Sequence, residues 1–189
     1  GIGITGTLAA NRIAKEADTV LAIGSRLSDF TTGSKWLFRE EGVQVLTINN
    51  NRYHAYKMDA IKAVGDAKAT LEELAKALRE KNYRSAYKGE IESCKAEWDK
   101  EYKRLAEYAY KEEGFEPLIE ERDPRTIPEF VEKTKGYLTQ TAAIAALRRK
   151  MPADGIVITA GGSLPSCMQR LWTTDSRYAY HAEYGYSCM

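Results

Sequence analysis

The residues with the greatest chemical reach lie between Gly155 and Trp172, in the run GIVITAGGSLPSCMQRLW. Ile156, Val157 and Ile158 form an apolar β-branched run, which predicts a short buried strand. That strand leads through Thr159 and Ala160 into Gly161, Gly162 and Ser163. Pro165 then marks a helix start, with Met168, Leu171 and Trp172 at helical spacing. Strand, glycine turn and helix together aim free backbone N–H groups at an anion. Glycine suits such a turn because a Cβ hinders both the close approach of phosphate oxygens and a positive φ. The same pattern also serves as a plain strand-to-helix connection, and the local residues alone favour that plainer reading.

Two further places carry chemical potential. Residues 1–6 read GIGITG, a literal GxGxxG, followed by a helix over Thr7 to Ala17 with Leu8, Ala9, Ile13 and Ala17 on one side. A dinucleotide site needs a strand before the glycines and an acid at the end of the next strand. Here the next strand ends in Ser25 and Arg26, and the first acid is Asp29. A glycine turn ahead of a packing helix is therefore the favoured reading. The second place is the rim formed by the carboxyl ends of parallel strands, where ligands bind in open α/β sheets. It holds Gly24, Ser25, Arg26, Asp29, Asn49 and Asn51. Arg26 suits a phosphate or carboxylate fork; pairing with Asp29 or solvent is an equal alternative.

The elements that position these residues follow from hydropathy patterning. Apolar runs at Val20–Ile23, Val43–Ile48 and Ile61–Val64 have the continuous character of parallel strands. Between the first two, GSRLSDFTTGSK reads as a polar loop. Asp66 caps a helix carrying Leu71, Leu74, Ala75 and Leu78. Residues 84–113 repeat Tyr87, Ile91, Cys94, Trp98, Leu105 and Tyr108 at three- and four-residue steps, which predicts one long amphipathic helix. Residues 114–136 contain three prolines and read as an ordered crossing or linker. Thr139 is the expected N-cap of a helix with Ile144 and Leu147 facing inward and Arg148, Arg149 and Lys150 at its end. Tyr178 to Tyr180 is a candidate strand. The fold class is α/β, part of a doubly wound parallel-sheet domain of the Rossmann-like kind followed by the start of a second α/β domain. The divisions expected are 1–83, 84–136 and 137–189.

Composition narrows the function classes. A formal net charge of +1 gives no long-range attraction to nucleic acid or an anionic membrane. No apolar run reaches membrane-spanning length. Cys94, Cys167 and Cys188 are widely spaced and form no CxxC, which argues against a disulfide framework or a zinc site and suits a cytoplasmic protein. His54 and His181 are the only histidines, too few for a histidine-rich metal centre. The chain begins at Gly1 and stops after the dense run HAEYGYSCM, which reads as a piece of a longer protein with further strands expected before Gly1.

Taken together, GTLAAN (6–11), Ala17-Asp18, GSRLSDFTTG (24–33), GDAK (65–68) and GIVITAGGSLPSCMQRLW resemble the thiamine-diphosphate enzymes of the acetolactate synthase group. The resemblance spans almost the whole chain. DFTTGSK (29–35), the charged insert after Tyr83, GGSLPSCMQRLW (161–172) and HAEYGYSCM (181–189) resemble its hydrolytic branch, which opens a C–C bond in a cyclic 1,2-dione of inositol breakdown. Residues 1–83 then correspond to the second half of a middle domain, 84–136 to a helical insert and linker, and 137–189 to the start of the cofactor-binding domain.

The resemblance implies that Gly161, Gly162, Ser163 and Leu164 touch the cofactor diphosphate, and that Ser187, Cys188 and Met189 hold its aminopyrimidine ring. It implies magnesium as a second cofactor, a small cyclic dione as substrate, and a homo-oligomeric parent. Asn49 and Asn51 stand where related FAD-holding enzymes have aspartates, which argues against FAD. The family's catalytic glutamate and its metal loop match nothing in these residues. No metal ligand and no catalytic residue is therefore expected here, and the chain alone is expected to be inactive. His181 and Glu183, two residues apart, are the titratable pair nearest the cofactor loops. A proton relay is one role for them; a hydrogen-bonded structural pair is the favoured alternative. The readings that compete with the hydrolase are a carboligase of the same group, a nucleotide-binding oxidoreductase using GIGITG, and an interaction module built on the helix at 84–113.

Overall fold

Parallel strands organise both parts of this chain in a computed structural model that describes residues 1–113, 123–174 and 176–182. The chain divides into two compact units, Gly1–Trp98 and Asp99–Met189.

In the first unit, helix α1 (Leu8–Lys15) starts at Thr7, whose hydroxyl accepts from the Ala10 N–H at 3.2 Å. Strand β1 (Thr19–Ile23) follows. The polar stretch expected to be a loop contains a short helix, α2 (Asp29–Thr32), and a 3-10 turn at Trp36–Phe38. Ser28 caps α2 through its hydroxyl, and Gly33 ends it at φ 57°. Those two residues are the start and stop signals of a helix too short to show any hydrophobic period. Next come β2 (Gln44–Asn49), α3 (Arg52–Ala55), β3 (Ile61–Val64) and α4 (Ala67–Glu80). Asp66 caps α4 as expected, its Oδ1 accepting from the Ala69 N–H at 2.9 Å.

The sheet has the order β1-β2-β3, all parallel, with Val20 opposite Val45 and Leu46 opposite Ile61. One face packs Ala22 and Val45 against Leu27 and Ala60, flanked by Val20 and Met58. The other face carries Leu21, Ile23 and Ile61 into solvent, Ile61 at 64% exposure. Ile48, on that same face, is 4% exposed, so the second face is covered at the middle strand and open at its margins within this unit.

Helix α5 (Gly89–Glu107) is shorter than the helix expected over 84–113. Before it, Tyr83 N–H caps the end of α4 by donating to the Leu78 carbonyl, and Tyr87 N–H turns back to the Ser85 hydroxyl. After it, Ala109 leaves the helix to form an antiparallel bridge with Leu138. The apolar stripe is a packing face, with Cys94 buried and Ile91, Trp98 and Leu105 half-buried. Arg12 of α1 pairs with Glu97 of α5, and the glutamate pushes the guanidinium pKa up.

The second unit contains α6 (Thr126–Thr134), α7 (Gln140–Lys150), β4 (Val157–Thr159), α8 (Ser163–Leu171) and β5 (Tyr180–Ala182). Helix α6 occupies part of the stretch expected to be a crossing. Its proline, Pro128, sits in the first turn, where no intrahelical N–H bond is lost. Ala142, Ile144 and Ala145 of α7 are buried with Met168 and Leu171 of α8. Leu147 is not: it is 51% exposed, because the buried stripe of α7 runs through positions 142, 144 and 145 instead. Strands β4 and β5 pair in parallel, Val157 opposite Tyr180 and Thr159 opposite Ala182. The second strand begins two residues later than expected, because Tyr178 lies in the left-handed region at φ 62°.

Thr139 links three segments of this unit. Its Oγ1 accepts from the Ala142 N–H at 3.2 Å and donates to the Tyr108 carbonyl at 3.0 Å, and the residue is 7% exposed. Thr139→Val keeps the shape and removes both bonds. It is expected to destabilise the protein by about 2 kcal/mol, read as a lowered urea midpoint, whereas Thr139→Ser retains most of the wild-type stability.

Candidate functional site

The turn that opens α8 has the properties of an anion cradle. Gly162 is the residue before the helix and adopts φ 124°, ψ −175°, a region open essentially to glycine alone. It has no side chain with which to cap the helix. The Ser163 and Leu164 N–H groups at the first two helical positions have no intrahelical acceptor, and Pro165 at the third has no N–H at all. An ideal Cβ on Gly162 comes no nearer than 3.9 Å to any atom, the Pro165 Cδ. The glycine is therefore required by its backbone conformation, and the space beside it is open. An anionic group such as a diphosphate fits this turn, with Ser163 and Leu164 N–H groups and the Ser163 hydroxyl as donors.

The strand register adds a second property. Thr159 and Ala182 are partners at the carboxyl ends of β4 and β5. The chain thus leaves both strands at one edge of the sheet, which is where α/β proteins build ligand sites. The Thr159 hydroxyl braces this edge, lying 3.3 Å from the Tyr180 hydroxyl and donating to the His181 carbonyl at 3.4 Å. Glu183, Ser187, Cys188 and Met189 lie outside the described residues. His181 is exposed, and its Nε2 donates to the Tyr178 carbonyl at 2.7 Å. A carbonyl can only accept, so this bond fixes the proton on Nε2 and gives the ring a role in closing the turn before β5.

One polar residue at this turn carried no sequence signal. Gln140, the first residue of α7, donates from Nε2 to the Ser163 hydroxyl at 3.3 Å and accepts from the Cys167 thiol at 3.5 Å. A lone amide at a helix start is common, and only the packing of α7 on α8 brings it to the turn.

GIGITG does a different job. Gly3 N–H donates to Asn11 Oδ1 at 2.7 Å while Asn11 Nδ2 donates back to the Gly3 carbonyl at 2.9 Å. Ile4 N–H donates to Phe30 O, and Gly6 N–H to Gly3 O. A Cβ on Gly3 would lie 1.8 Å from the Phe30 carbonyl oxygen. These glycines permit tight backbone packing, and the N–H groups of Gly3, Ile4 and Gly6 already have protein acceptors. The oxidoreductase reading, which needs such groups free for a pyrophosphate, fails on that geometry.

The rim of the first sheet is likewise committed to its own backbone. Asn49 donates from Nδ2 to the Ser25 carbonyl at 3.0 Å and accepts from the Asn51 N–H at 2.9 Å. An aspartate lacks the N–H needed for the first bond. Asn51 in turn caps α3, accepting from the Tyr53 N–H at 2.9 Å. Arg26 and Asp29 are both exposed, and no ion pair joins them among the described residues. The Arg26 carbonyl receives Lys57 Nζ at 2.9 Å. Nearby, Arg52 and Lys62 stack on Tyr56, and the hydrogen bond from Arg52 pulls the phenol pKa down. Among the described residues no group of three or more His, Cys, Asp or Glu side chains is gathered as a metal site, and no helix is long and apolar enough to cross a membrane.

Comparison with known proteins shows what the chain resembles. Residues 1–74 match the family described as thiamine pyrophosphate enzyme, central domain. The full 189 residues are 50% identical to the 3D-(3,5/4)-trihydroxycyclohexane-1,2-dione hydrolase of Clostridium botulinum (strain Alaska E43 / Type E3), covering all of this chain and 29% of the relative. The enzyme of the same name from Clostridium perfringens (strain 13 / Type A) is also 50% identical, and that from Geobacillus thermodenitrificans (strain NG80-2) 47%, with the same coverage. The chain spans about 29% of the length of the curated relatives it matches. The resemblance to thiamine-diphosphate enzymes, and to their hydrolytic branch, therefore holds along the whole chain.

Gly162→Ala forces a side-chain residue into the φ 124° conformation. A loss of about 1–3 kcal/mol is expected from the backbone alone, measured by chemical denaturation of the complete protein. An unchanged midpoint would contradict the assigned turn geometry.

Proposed function

We propose that this chain is part of a thiamine-diphosphate-dependent hydrolase that opens the ring of 3D-(3,5/4)-trihydroxycyclohexane-1,2-dione by C–C bond cleavage, yielding an open-chain deoxyuronic acid. The observation that carries the reading is the identity of about half the residues with hydrolases of that name across all 189 positions. In this proposal residues 1–83 belong to the middle domain, 84–136 form a helical insert and linker, and 137–189 open the cofactor-binding domain. Magnesium, a catalytic glutamate and a homo-oligomeric, cytoplasmic parent belong to the same proposal. The metal and the glutamate are assigned to segments outside these residues, in keeping with the 29% coverage of the relatives.

The chain's own part is to bind and orient. Ser163 and Leu164 N–H groups, with the positive end of the α8 dipole behind them, donate to the diphosphate. Gly161 and Gly162 allow its oxygens to approach the backbone. Residues 187–189, which follow β5 in the sequence, hold the aminopyrimidine. When bound, thiamine diphosphate supplies the electron sink for cleavage of a C–C bond beside a carbonyl. The ring nitrogen bond of His181 to the Tyr178 carbonyl supports a structural role for His181.

Ring opening of the cyclic dione by the complete protein, followed by proton NMR, tests this reading. Turnover that requires both thiamine diphosphate and magnesium is expected. A cofactor-loaded protein that leaves the dione intact would contradict it.

A further inference from the structure

Gln140 stands one residue inside α7, directly after the Thr139 cap that fixes the start of that helix. Its amide reaches across to α8 and touches two residues one helical turn apart, Ser163 and Cys167. The two contacts use both ends of the amide. Nε2 donates to Ser163 Oγ at 3.3 Å, and Oε1 accepts from the Cys167 thiol at 3.5 Å. Ser163 is solvent-facing and is the first residue after the Gly162 turn.

We infer that Gln140 is a positioning residue for diphosphate recognition, acting through the Ser163 hydroxyl. The inference rests on the reading of Gly161–Leu164 as the diphosphate loop. A serine hydroxyl both gives and receives hydrogen bonds. Once it receives one from Gln140, its own proton remains to be given, and an anion at the turn is the acceptor that gains most. The hydroxyl then acts beside the Ser163 and Leu164 N–H groups as a third donor. Gln140 suits the task because an amide presents a donor and an acceptor at once. The acceptor anchors it to Cys167, and the donor orders the serine. Its support is rigid, since the backbone of α7 is capped at Thr139 and its inner face is buried through Ala142, Ile144 and Ala145.

A carboxylate at this position would reverse the arrangement. Glutamate accepts only, so it draws the Ser163 proton toward itself and away from the anion, and it adds a negative charge beside the phosphates. The size of the side chain is unchanged.

The test uses the complete protein, titrated calorimetrically with thiamine diphosphate and separately with inorganic pyrophosphate, both with magnesium present. Gln140→Ala and Ser163→Ala are each expected to weaken both ligands by about tenfold, the scale of one hydrogen bond to a charged group. Gln140→Glu is expected to weaken them further than Gln140→Ala. In the Ser163→Ala background, Gln140→Ala is expected to add no loss, because Gln140 acts through that hydroxyl. A Gln140→Ala loss of equal size with and without Ser163 would overturn the inference, as would wild-type affinity in both Gln140 variants. If Gln140→Ala lowers the melting temperature, the equal-sized Gln140→Glu substitution decides alone. Should Ser163→Ala leave both affinities unchanged, the diphosphate-loop reading itself falls, an outcome separate from failure of the Gln140 role.

Discussion

Parallel pairing of β4 with β5 is the constraint on which the candidate site depends. Two parallel strands cannot be joined by a tight hairpin, so the chain must travel away and return before the second strand begins. Here α8 lies within that connection. The consequence is geometric: both strands end at the same edge, with Thr159 level with Ala182. The last residues of β4 and β5 are therefore neighbours although more than twenty positions separate them. An antiparallel pairing would have sent them to opposite ends of the sheet. The Thr159 hydroxyl, bonded toward Tyr180 and the His181 carbonyl, holds this edge in register.

The two glycine-rich turns show how the same residue type serves opposite ends. At Gly3 the backbone is drawn into contact with Phe30 and Asn11, and the N–H groups nearby find protein acceptors. At Gly162 the unusual φ opens the chain outward, and the helix start that follows has no side-chain cap. A sequence motif cannot separate these cases, because GxGxxG and AGGS differ mainly in what lies around them. Hydrogen-bond satisfaction separates them at once. The first turn is a packing device, and the second is the one with donors to offer.

Much of the fold was legible. The strands Val20–Ile23 and Ile61–Val64, the Asp66 and Thr139 caps and the strand–glycine–helix order at 155–172 follow from apolar runs and capping residues, although β4 buries only Val157 and leaves Ile156 and Ile158, expected to be buried, exposed. What was not legible depended on tertiary contacts or on short elements. Residues 84–113 have a continuous helical period, yet Ala109 leaves the helix to bridge Leu138, and 84–88 turn ahead of it. Prolines hid α6, although Pro128 sits where a helix tolerates it. Leu147 points outward because the burial of α7 follows Ile144 and its alanine neighbours. At the candidate site, the glycine turn ahead of α8 was legible through its turn chemistry. Gln140 was not, since its role comes from the packing of two helices and has no local pattern.

Hydrogen exchange on the complete protein, with and without thiamine diphosphate and magnesium, bears most directly on the central claim. Cofactor binding is expected to protect the amides of Ser163 and Leu164, which have no intrahelical acceptor at the start of α8. No comparable change is expected at Gly3 and Gly6, whose N–H groups already donate to Asn11 and to the Gly3 carbonyl. Protection confined to the Gly1–Gly6 turn, or bound cofactor with unaltered exchange at 163 and 164, would contradict it.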